Sequence, residues 1–191
     1  EPVVTLRDPV QVFGPATVTP PPGAFLQATE DGEATLRSGV MDIIGNAPRV
    51  VDLFAGCGTF SLPLTRTAEV TAVEGEAAMI AAMDRGWRSA QGGKRLTGIT
   101  RDLFRRPLEP DELNRFDAAV IDPPRAGAAA QVATISVSTI KTVAMVSCNP
   151  VTFGRDVAAL VEAGFTLNWV QVVDQFRWSP HVEMIASLTR A

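Results

Sequence analysis

The stretch Arg49-Val-Val-Asp-Leu-Phe-Ala-Gly-Cys-Gly-Thr59 predicts a β-strand, a tight turn and the start of a helix. Gly56 and Gly58 allow the backbone of the turn to approach a ligand closely, and a helix beginning near Thr59 presents free N–H groups. This arrangement favours a nucleotide-like cofactor. Ser61 replaces the third glycine of a dinucleotide-binding fingerprint, which argues against an NAD-linked oxidoreductase.

Around this stretch, apolar runs of strand length alternate with longer segments of helical spacing, as in βαβ units with a parallel sheet. We predict an α/β fold with a seven-stranded, mostly parallel sheet and helices on both faces. The predicted strands are residues 49–54, 70–74, 96–102, 116–122, 142–147, 166–174 and 181–190. The predicted helices are residues 29–44, 59–66, 76–91, 128–140 and 152–163, with Gly45 and Gly164 as C-terminal stops. Residues 175–180 are too few for a crossover helix, so the last strand should be antiparallel.

The composition changes near residue 24. Residues 1–23 contain six of the fourteen prolines, and we interpret residues 1–24 as an extended segment left from an upstream region. Residues 25–191 form the predicted main domain.

The overall composition limits the possible classes of function. Two cysteines are too few for a disulfide framework or a four-thiolate metal site, so we expect no metal. No apolar stretch reaches the roughly 20 residues of a membrane helix, and we expect a cytoplasmic protein. The net charge of −4 is unlike that of a free-standing nucleic-acid binder, which usually has an excess of basic residues.

Four successive predicted strands each end in an acidic residue, namely Asp52, Glu74, Asp102 and Asp122. In open α/β folds, ligands bind at the carboxyl edge of the strands, where these side chains would meet. A rim of carboxylates suits a ligand that is cationic or rich in hydroxyl groups. S-adenosyl-L-methionine is both, because it carries a sulfonium, an ammonium and a ribose. The alternative is that each acid only caps the helix that follows it.

The sequence Asp122-Pro-Pro-Arg125 follows the fourth predicted strand. Two prolines stiffen the chain and predict a rigid loop that can hold a substrate. Arg125 can contact a phosphate, stack on a base or form a structural ion pair.

The two cysteines have different contexts. Cys57 lies inside the glycine turn, and we interpret it as a small buried apolar residue. Cys148 lies in the turn Ser147-Cys-Asn-Pro150 after a predicted strand, on the same edge as the acids. A thiolate there can act as a nucleophile, provided that nearby dipoles or cations lower its pKa.

His181 and Glu183 open the last predicted strand on one face and are the candidate bases. We favour Glu183, because burial among Phe176, Trp178 and Pro180 would raise the pKa of its carboxyl group into the range useful for proton abstraction.

Together, these motifs resemble the uracil-C5 RNA methyltransferases over residues 25–190. The motifs that carry the resemblance are Phe25-Leu-Gln27, Asp52-Leu-Phe-Ala-Gly-Cys-Gly-Thr59, Asp122-Pro-Pro-Arg-Ala-Gly127, Ser147-Cys-Asn-Pro150 and His181-Val-Glu183. The resemblance implies a Rossmann-like class I methyltransferase domain that binds S-adenosyl-L-methionine. The predicted cofactor contacts are Gln27, Asp52, Phe54, Gly56, Gly58, Thr59, Glu74, Asp102 and Asp122. Cys148 would be the nucleophile and Glu183 the base, with Arg125, Phe176 and Trp178 as substrate contacts.

The activity implied is methyl transfer to carbon 5 of a uridine in RNA through a covalent bond between Cys148 and carbon 6. The closing segment, residues 175–183, favours 23S rRNA over tRNA. Members of the family carry an upstream RNA-binding domain, so we expect RNA binding by this chain to need such a domain. Two alternatives stay open: a methyltransferase for a substrate other than RNA, and a non-catalytic module that binds the cofactor.

Overall fold

The computed structural model describes residues 7–176 and 178–191. A hairpin of β1 (Gln11–Phe13) and β2 (Ala16–Val18) comes before the strands of the main sheet. Those strands are β3 (Arg49–Leu53), β4 (Glu69–Glu74), β5 (Leu96–Thr100), β6 (Ala118–Ile121), β7 (Thr142–Ser147), β8 (Thr166–Val173) and β9 (Glu183–Thr189). The helices are α1 (Glu30–Ile44), α2 (Ser61–Leu64), α3 (Ala77–Ser89), α4 (Pro110–Leu113), α5 (Ala129–Ser136) and α6 (Pro150–Glu162). None of these helices is long and apolar enough to cross a membrane.

The main sheet has the strand order β5-β4-β3-β6-β7-β9-β8. Pairing is parallel from β5 to β7, whereas β9 is antiparallel to both of its neighbours. The predicted seven-stranded sheet and the antiparallel last strand are confirmed. The last strand inserts between β7 and β8, so its first residue lies beside the carboxyl end of β7.

Helices cover both faces of the sheet, as predicted. Val51 belongs to the core cluster that contains Ile135 of α5 and Leu160 of α6. Val50, its neighbour in β3, belongs to the cluster that contains Leu36 of α1. Because successive side chains of a strand point to opposite faces, β3 is buried from both sides.

The strand order reverses between β3 and β6, since the chain first builds outward through β4 and β5 and then continues through β7. Such a reversal leaves a crevice at the carboxyl ends of the two strands, where α/β folds bind ligands. The predicted acidic rim and the glycine turn lie at this edge.

The predicted helix 59–66 is wrong in extent, because only Ser61–Leu64 is helical. Gly56 and Gly58 adopt positive φ angles of 55° and 93°, so the chain forms a turn before the helix begins at Ser61. After the helix, the Thr67 N–H donates to Leu64 O at 3.0 Å, a three-residue spacing that ends it.

Helix α5 is also shorter than the predicted segment 128–140. Ser138 Oγ donates to Ile135 O at 2.8 Å, and the Arg190 guanidinium donates to Ser136 O at 3.0 Å and to Ile140 O at 2.7 Å. These side chains satisfy the carbonyl groups at the end of the helix and allow the chain to turn towards β7.

Two helix starts differ from the prediction. Helix α6 begins at Pro150 instead of residue 152, because Asn149 caps it by accepting a hydrogen bond from the Val151 N–H at 3.1 Å. Helix α4 was not predicted. Its capping box joins the Glu109 and Glu112 side chains to the backbone at the helix start, a pattern that is visible in the sequence.

The hairpin β1–β2 packs against helix α3. Phe13, Ala16 and Val18 are fully buried in a cluster that also contains Met83 of α3. A Cβ atom at Gly86 would lie 2.6 Å from Thr17 O. The hairpin can therefore pack this closely against α3 only because residue 86 is a glycine. The domain boundary near residue 24 stays a prediction, and residues 1–6 of the predicted N-terminal segment lie outside the described residues.

Candidate active site

Asp52 lies near the end of β3 and is fully buried. Ser61 Oγ donates to Asp52 Oδ2 at 2.5 Å, whereas Asp52 Oδ1 has no hydrogen-bond partner among the described residues. Burial raises the pKa of Asp52 to about 7, against the lowering effect of the Ser61 hydrogen bonds. Ser61, at the position where a dinucleotide-binding fingerprint has glycine, is therefore a hydrogen-bond donor to the buried Asp52.

The glycine turn leaves β3 through Phe54, a non-glycine residue with a positive φ of 63°. Glu74 holds this turn in place, because its Oε2 accepts a hydrogen bond from the Gly56 N–H at 3.0 Å. Glu74 Oε1 accepts from the Glu76 N–H at 2.9 Å. Each carboxylate oxygen can accept a second hydrogen bond, so Glu74 can still bind ribose hydroxyl groups.

Two further residues of the turn differ in accessibility. Cys57 is buried, with 1% of its surface exposed, as its interpretation as an apolar core residue requires. Burial raises the pKa of its thiol to about 11, which makes Cys57 a poor nucleophile. Thr59 keeps part of its surface exposed at the rim.

Asp102 is used by its own turn. Its Oδ1 accepts hydrogen bonds from the Phe104 N–H at 2.9 Å and the Arg105 N–H at 3.2 Å. Asp102 thus stabilises a turn and not the start of a helix, and its carboxylate keeps further acceptor sites. The Phe104 ring, half exposed, lies 5.4 Å from the Phe54 ring between centroids. This aromatic pair was not identified from the sequence, where nothing distinguishes Phe104.

Cys148 follows β7 and is partly exposed. The pairing of β7 with β9 ends at Ser147 opposite Met184, so Cys148 and Glu183 are the next two residues in register. Burial raises the pKa of the Cys148 thiol, and the negative charges of Glu183 and Asp122 raise it further. Among the described residues, the positive charge of Arg125 acts in the opposite direction and lowers this pKa, and this cation could not be identified from the sequence.

Glu183 has 2% of its surface exposed, and its Oε1 has no hydrogen-bond partner among the described residues. Burial raises the pKa of Glu183 to about 7. Asp122 keeps part of its surface exposed, yet its pKa is raised well above the ordinary value, first by burial and then by Glu183 and Asp52. The expected source of the Glu183 shift needs one correction: Trp178 is 97% exposed and cannot shield that carboxyl group.

The loop after β6 is fixed to the cysteine turn. Asn149 Nδ2 donates to Arg125 O at 2.8 Å, and Thr152 Oγ1 donates to the same oxygen at 3.2 Å. Arg125 Nη1 lies 3.3 Å from His181 Nδ1, and the His181 ring meets Phe176 edge-on. No ion pair of the described residues includes Arg125.

Gln27 lies before α1 and is partly exposed. Its Oε1 accepts a hydrogen bond at 2.6 Å from Gln175 Nε2, in the segment between β8 and β9. The contribution of Gln175 was not identified from the sequence, although the residue lies within the closing motif.

These residues combine three chemical capacities at one edge of the sheet. The glycine turn and the carboxylates suit a cationic ligand with hydroxyl groups, Cys148 supplies a thiol, and Glu183 supplies a carboxyl group with a pKa near neutrality. Among the described residues there is no group of three or more His, Cys, Asp and Glu side chains that could hold a metal ion.

Comparisons with known proteins agree with this assembly. A family model described as tRNA (uracil-5-)-methyltransferase matches residues 98–191. An uncharacterized RNA methyltransferase of Mesorhizobium japonicum is 52% identical over 188 residues, which cover 98% of this chain and 46% of that protein. The 23S rRNA (uracil(1939)-C(5))-methyltransferase RlmD of Dichelobacter nodosus is 42% identical over 148 residues, which cover 74% of this chain and 34% of that protein. The chain thus spans about half the length of the Mesorhizobium japonicum relative and about a third of the length of the Dichelobacter nodosus relative.

The fold is shared with a solved structure, that of the Pyrococcus abyssi tRNA (uracil-54, C5)-methyltransferase in complex with S-adenosyl-L-homocysteine. The TM-score is 0.81 at 24% identity, with 95% of this chain and 44% of that chain covered. The sheet is that of the class I methyltransferases. The family model matches residues 98–191, the part of the chain that carries Cys148 and Glu183, and 98% of the chain is similar to an RNA methyltransferase, so the resemblance to the uracil-C5 RNA methyltransferases is confirmed.

Proposed function

We propose that this chain holds the cofactor-binding and catalytic part of an enzyme that methylates carbon 5 of a uridine in RNA, with S-adenosyl-L-methionine as methyl donor. The observation that carries the proposal is the register of β7 and β9, which places Cys148 beside Glu183 at the carboxyl edge of the sheet. A nucleophile and a base on two adjacent strands are what addition to a uracil ring and removal of its proton require.

The residues of the rim fit the proposed cofactor. Asp52 Oδ1 is a buried oxygen without a partner among the described residues. The negative charge of Asp52 also raises the pKa of Asp122, so the two carboxyl groups lie close enough to interact. A sulfonium or an ammonium group would compensate these carboxylates, while Glu74 has acceptor sites for ribose hydroxyl groups. Gly56 leaves open space where a side chain would otherwise stand. When bound, the cofactor supplies an electrophilic methyl group to the site.

The chain's own residues would carry the remaining steps. The Cys148 thiolate adds to carbon 6 of the uracil, and the electron pair of the 5,6 double bond moves to carbon 5 and the carbonyl group, giving an enolate. Once carbon 5 carries the methyl group, Glu183 accepts the proton of carbon 5. The electron pair left behind re-forms the double bond and expels the Cys148 thiolate.

Glu183 suits the role of base, because burial brings the pKa of its carboxyl group to about 7. An acid with this pKa is about half ionised at neutral pH and gains basicity relative to an exposed glutamate. The Cys148 thiol, in contrast, has a raised pKa and relies on Arg125 for positive charge.

Arg125, Phe176 and Trp178 are the proposed substrate contacts. Arg125 and Trp178 are exposed, and Phe176 is partly exposed beside His181. A guanidinium group and aromatic rings suit a nucleotide taken out of its stack. RNA affinity would depend on further basic surface, because the chain has a net charge of −4. We therefore place the main RNA-binding surface in the part of the relatives that this chain does not span.

The test uses RNA that contains 5-fluorouridine, incubated with the chain and S-adenosyl-L-methionine and resolved on a denaturing gel. Fluorine cannot leave carbon 5 as a proton, so the covalent adduct should accumulate. Cys148→Ala should form none. Turnover that persists in Cys148→Ala would favour a methyltransferase for another substrate, and cofactor binding without turnover would favour a non-catalytic module.

For the RNA substrate we propose 23S rRNA. The support is the relative named for 23S rRNA, whereas the family model and the solved structure are named for tRNA. Adduct formation on a 5-fluorouridine transcript of 23S rRNA, compared at equal concentration with a tRNA transcript, decides between them.

A further inference from the structure

Gln175 is a buried side chain between β8 and β9, with 7% of its surface exposed. It forms two hydrogen bonds to the segment before α1. Its Nε2 donates to Gln27 Oε1 at 2.6 Å, and its Oε1 accepts from the Thr29 N–H at 3.3 Å. One amide group thus joins two segments that are 146 to 148 residues apart in the chain.

The two hydrogen bonds determine how the Gln27 amide is oriented. A backbone N–H can only donate, so the oxygen of Gln175 must face Thr29 and its NH2 group must face Gln27. Gln27 then uses its oxygen for Gln175 and has its own NH2 group available to a ligand. Gln27 is therefore left with the NH2 group of its side chain as a hydrogen-bond donor.

Gly32, in the first turn of α1, makes room for this contact. A Cβ atom at Gly32 would overlap Gln175 Oε1 and would lie 2.9 Å from Thr29 Oγ1. The Gly32 N–H donates to Thr29 Oγ1 at 3.1 Å, which caps the helix next to the Gln175 contact. The start of α1 is shaped around the Gln175 amide.

The segment that carries Gln175 also leads to the proposed base. Asp174 Oδ1 accepts a hydrogen bond from the Phe176 N–H at 3.1 Å, and the Ser179 N–H donates to Phe176 O at 2.9 Å. The chain then enters β9 at Glu183. The Gln175 contact is thus the point at which this segment is tied to the start of α1.

We propose that Gln175 is a positioning residue that couples cofactor binding at Gln27 to the placement of the segment ending at Glu183. This inference rests on the proposed function, since it takes Gln27 as a cofactor contact. By holding the Gln27 oxygen, Gln175 directs the Gln27 NH2 group to an acceptor on the cofactor, such as its carboxylate. A ligand bound at Gln27 in turn stabilises residues 174–176 and 178–183.

The first experiment measures S-adenosyl-L-homocysteine binding by calorimetry to the unaltered chain, Gln175→Met and Gln27→Met. Methionine keeps the length of the side chain but removes both hydrogen bonds. The dissociation constant should rise about 3- to 10-fold in Gln175→Met, the range expected for one hydrogen bond. Because Gln175 acts through Gln27, the double variant should bind no more weakly than Gln27→Met alone.

A second comparison keeps the Gln175 side chain. Gly32→Ala should displace it and weaken binding by a similar factor, because the overlap is with the far end of a flexible side chain. The matched control is Gly154→Ala in α6, where a Cβ atom meets nothing within 4 Å. This control should bind like the unaltered chain.

Hydrogen exchange followed by mass spectrometry gives the readout that a merely structural role would not change. S-adenosyl-L-homocysteine should slow amide exchange both in residues 25–29 and in residues 178–183 of the unaltered chain. In Gln175→Met only the first segment should respond. Additive losses in the double variant, or a response of both segments in Gln175→Met, would overturn the inference. Absence of binding by the unaltered chain would instead overturn the proposed function, and this inference with it.

Discussion

At the scale of single residues, the site contains two buried carboxyl groups that each keep one oxygen without a hydrogen-bond partner in the part of the chain that the structure describes. These are Asp52 Oδ1 and Glu183 Oε1. Buried polar atoms in native proteins nearly always have hydrogen-bond partners, and leaving one without a partner costs free energy of folding. In the proposed function, Asp52 is part of a cation site and Glu183 is the base.

Ser61 stabilises the buried carboxyl group of Asp52 by donating a hydrogen bond to it. In Ser61→Ala, Asp52 would lose the hydrogen bond from the Ser61 hydroxyl group, so the free energy of unfolding at pH 8 should fall by about 1–3 kcal/mol. At pH 5 the loss should be smaller, because Asp52 is then protonated. Urea denaturation checks both values, with Ser89→Ala on the exposed end of α3 as the control. Equal losses at the two pH values would contradict the assignment of the effect to Asp52.

The charge of Glu183 acts on the Cys148 thiol as well as on the substrate. Glu183→Gln removes a negative charge that raises the pKa of Cys148, so that pKa should fall. We expect the pH midpoint of iodoacetamide alkylation at Cys148 to shift downward, while adduct breakdown on normal uridine is lost. Peptide mass spectrometry separates Cys148 from the buried Cys57.

The control for this experiment is Glu162→Gln, at the exposed end of α6. An unchanged or higher midpoint in Glu183→Gln would mean that the two side chains do not interact.

At the scale of elements, the insertion of β9 between β7 and β8 determines where Cys148 and Glu183 lie relative to each other. A short connection between the last two strands already requires an antiparallel pair. The additional pairing with β7 brings the start of β9 to the end of β7. This pairing places Cys148 and Glu183 at neighbouring positions on adjacent strands.

The hairpin β1–β2 is the element whose docking can be tested most directly. Gly86→Ala would place a Cβ atom 2.6 Å from Thr17 O, a backbone atom that cannot move aside cheaply. We expect the free energy of unfolding to fall by about 1–3 kcal/mol, measured by urea denaturation. Gly154→Ala, with open space around it, should not destabilise the chain. A stable Gly86→Ala would show that the hairpin does not rest on α3.

At the scale of the whole molecule, the buried acids make stability depend on pH. The pKa values of Asp52 and Glu183 are about 7 in the folded chain, against ordinary values of 3.8 and 4.5. Between about pH 4 and pH 7 the folded state binds more protons than the unfolded state, so the free energy of unfolding falls as pH rises. The lowered pKa values of Asp117 and Glu112 act below this window.

We therefore predict that the chain without cofactor is less stable at pH 8 than at pH 5, with Asp52 contributing about 2–4 kcal/mol. Asp52→Asn keeps the acceptor for Ser61 but cannot ionise, so it should flatten the dependence and be more stable than the unaltered chain at pH 8. Urea denaturation at pH 5, 6, 7 and 8 tests this. Parallel pH profiles for the two chains would rule out Asp52 as the source.

Much of the molecule follows from local sequence. The α/β class, the seven strands and the stops at Gly45 and Gly164 were predicted, because strand periodicity and positive-φ glycines act within a few residues. The same holds for the placement of Cys148 and Glu183 at one edge, since the carboxyl ends of parallel strands and the start of an antiparallel last strand share that edge.

Contacts between distant segments were decided by the tertiary structure alone. The Gln175 hydrogen bonds, the exposure of Trp178 and the raised pKa of Cys148 all depend on which side chains meet and which atoms lose water. Burial and charge act through space over a few ångströms, and the sequence records only distance along the chain. The motifs therefore name the chemistry, and the packing of β9 against β7 and of Gln175 against α1 determines how the residues are held to perform it.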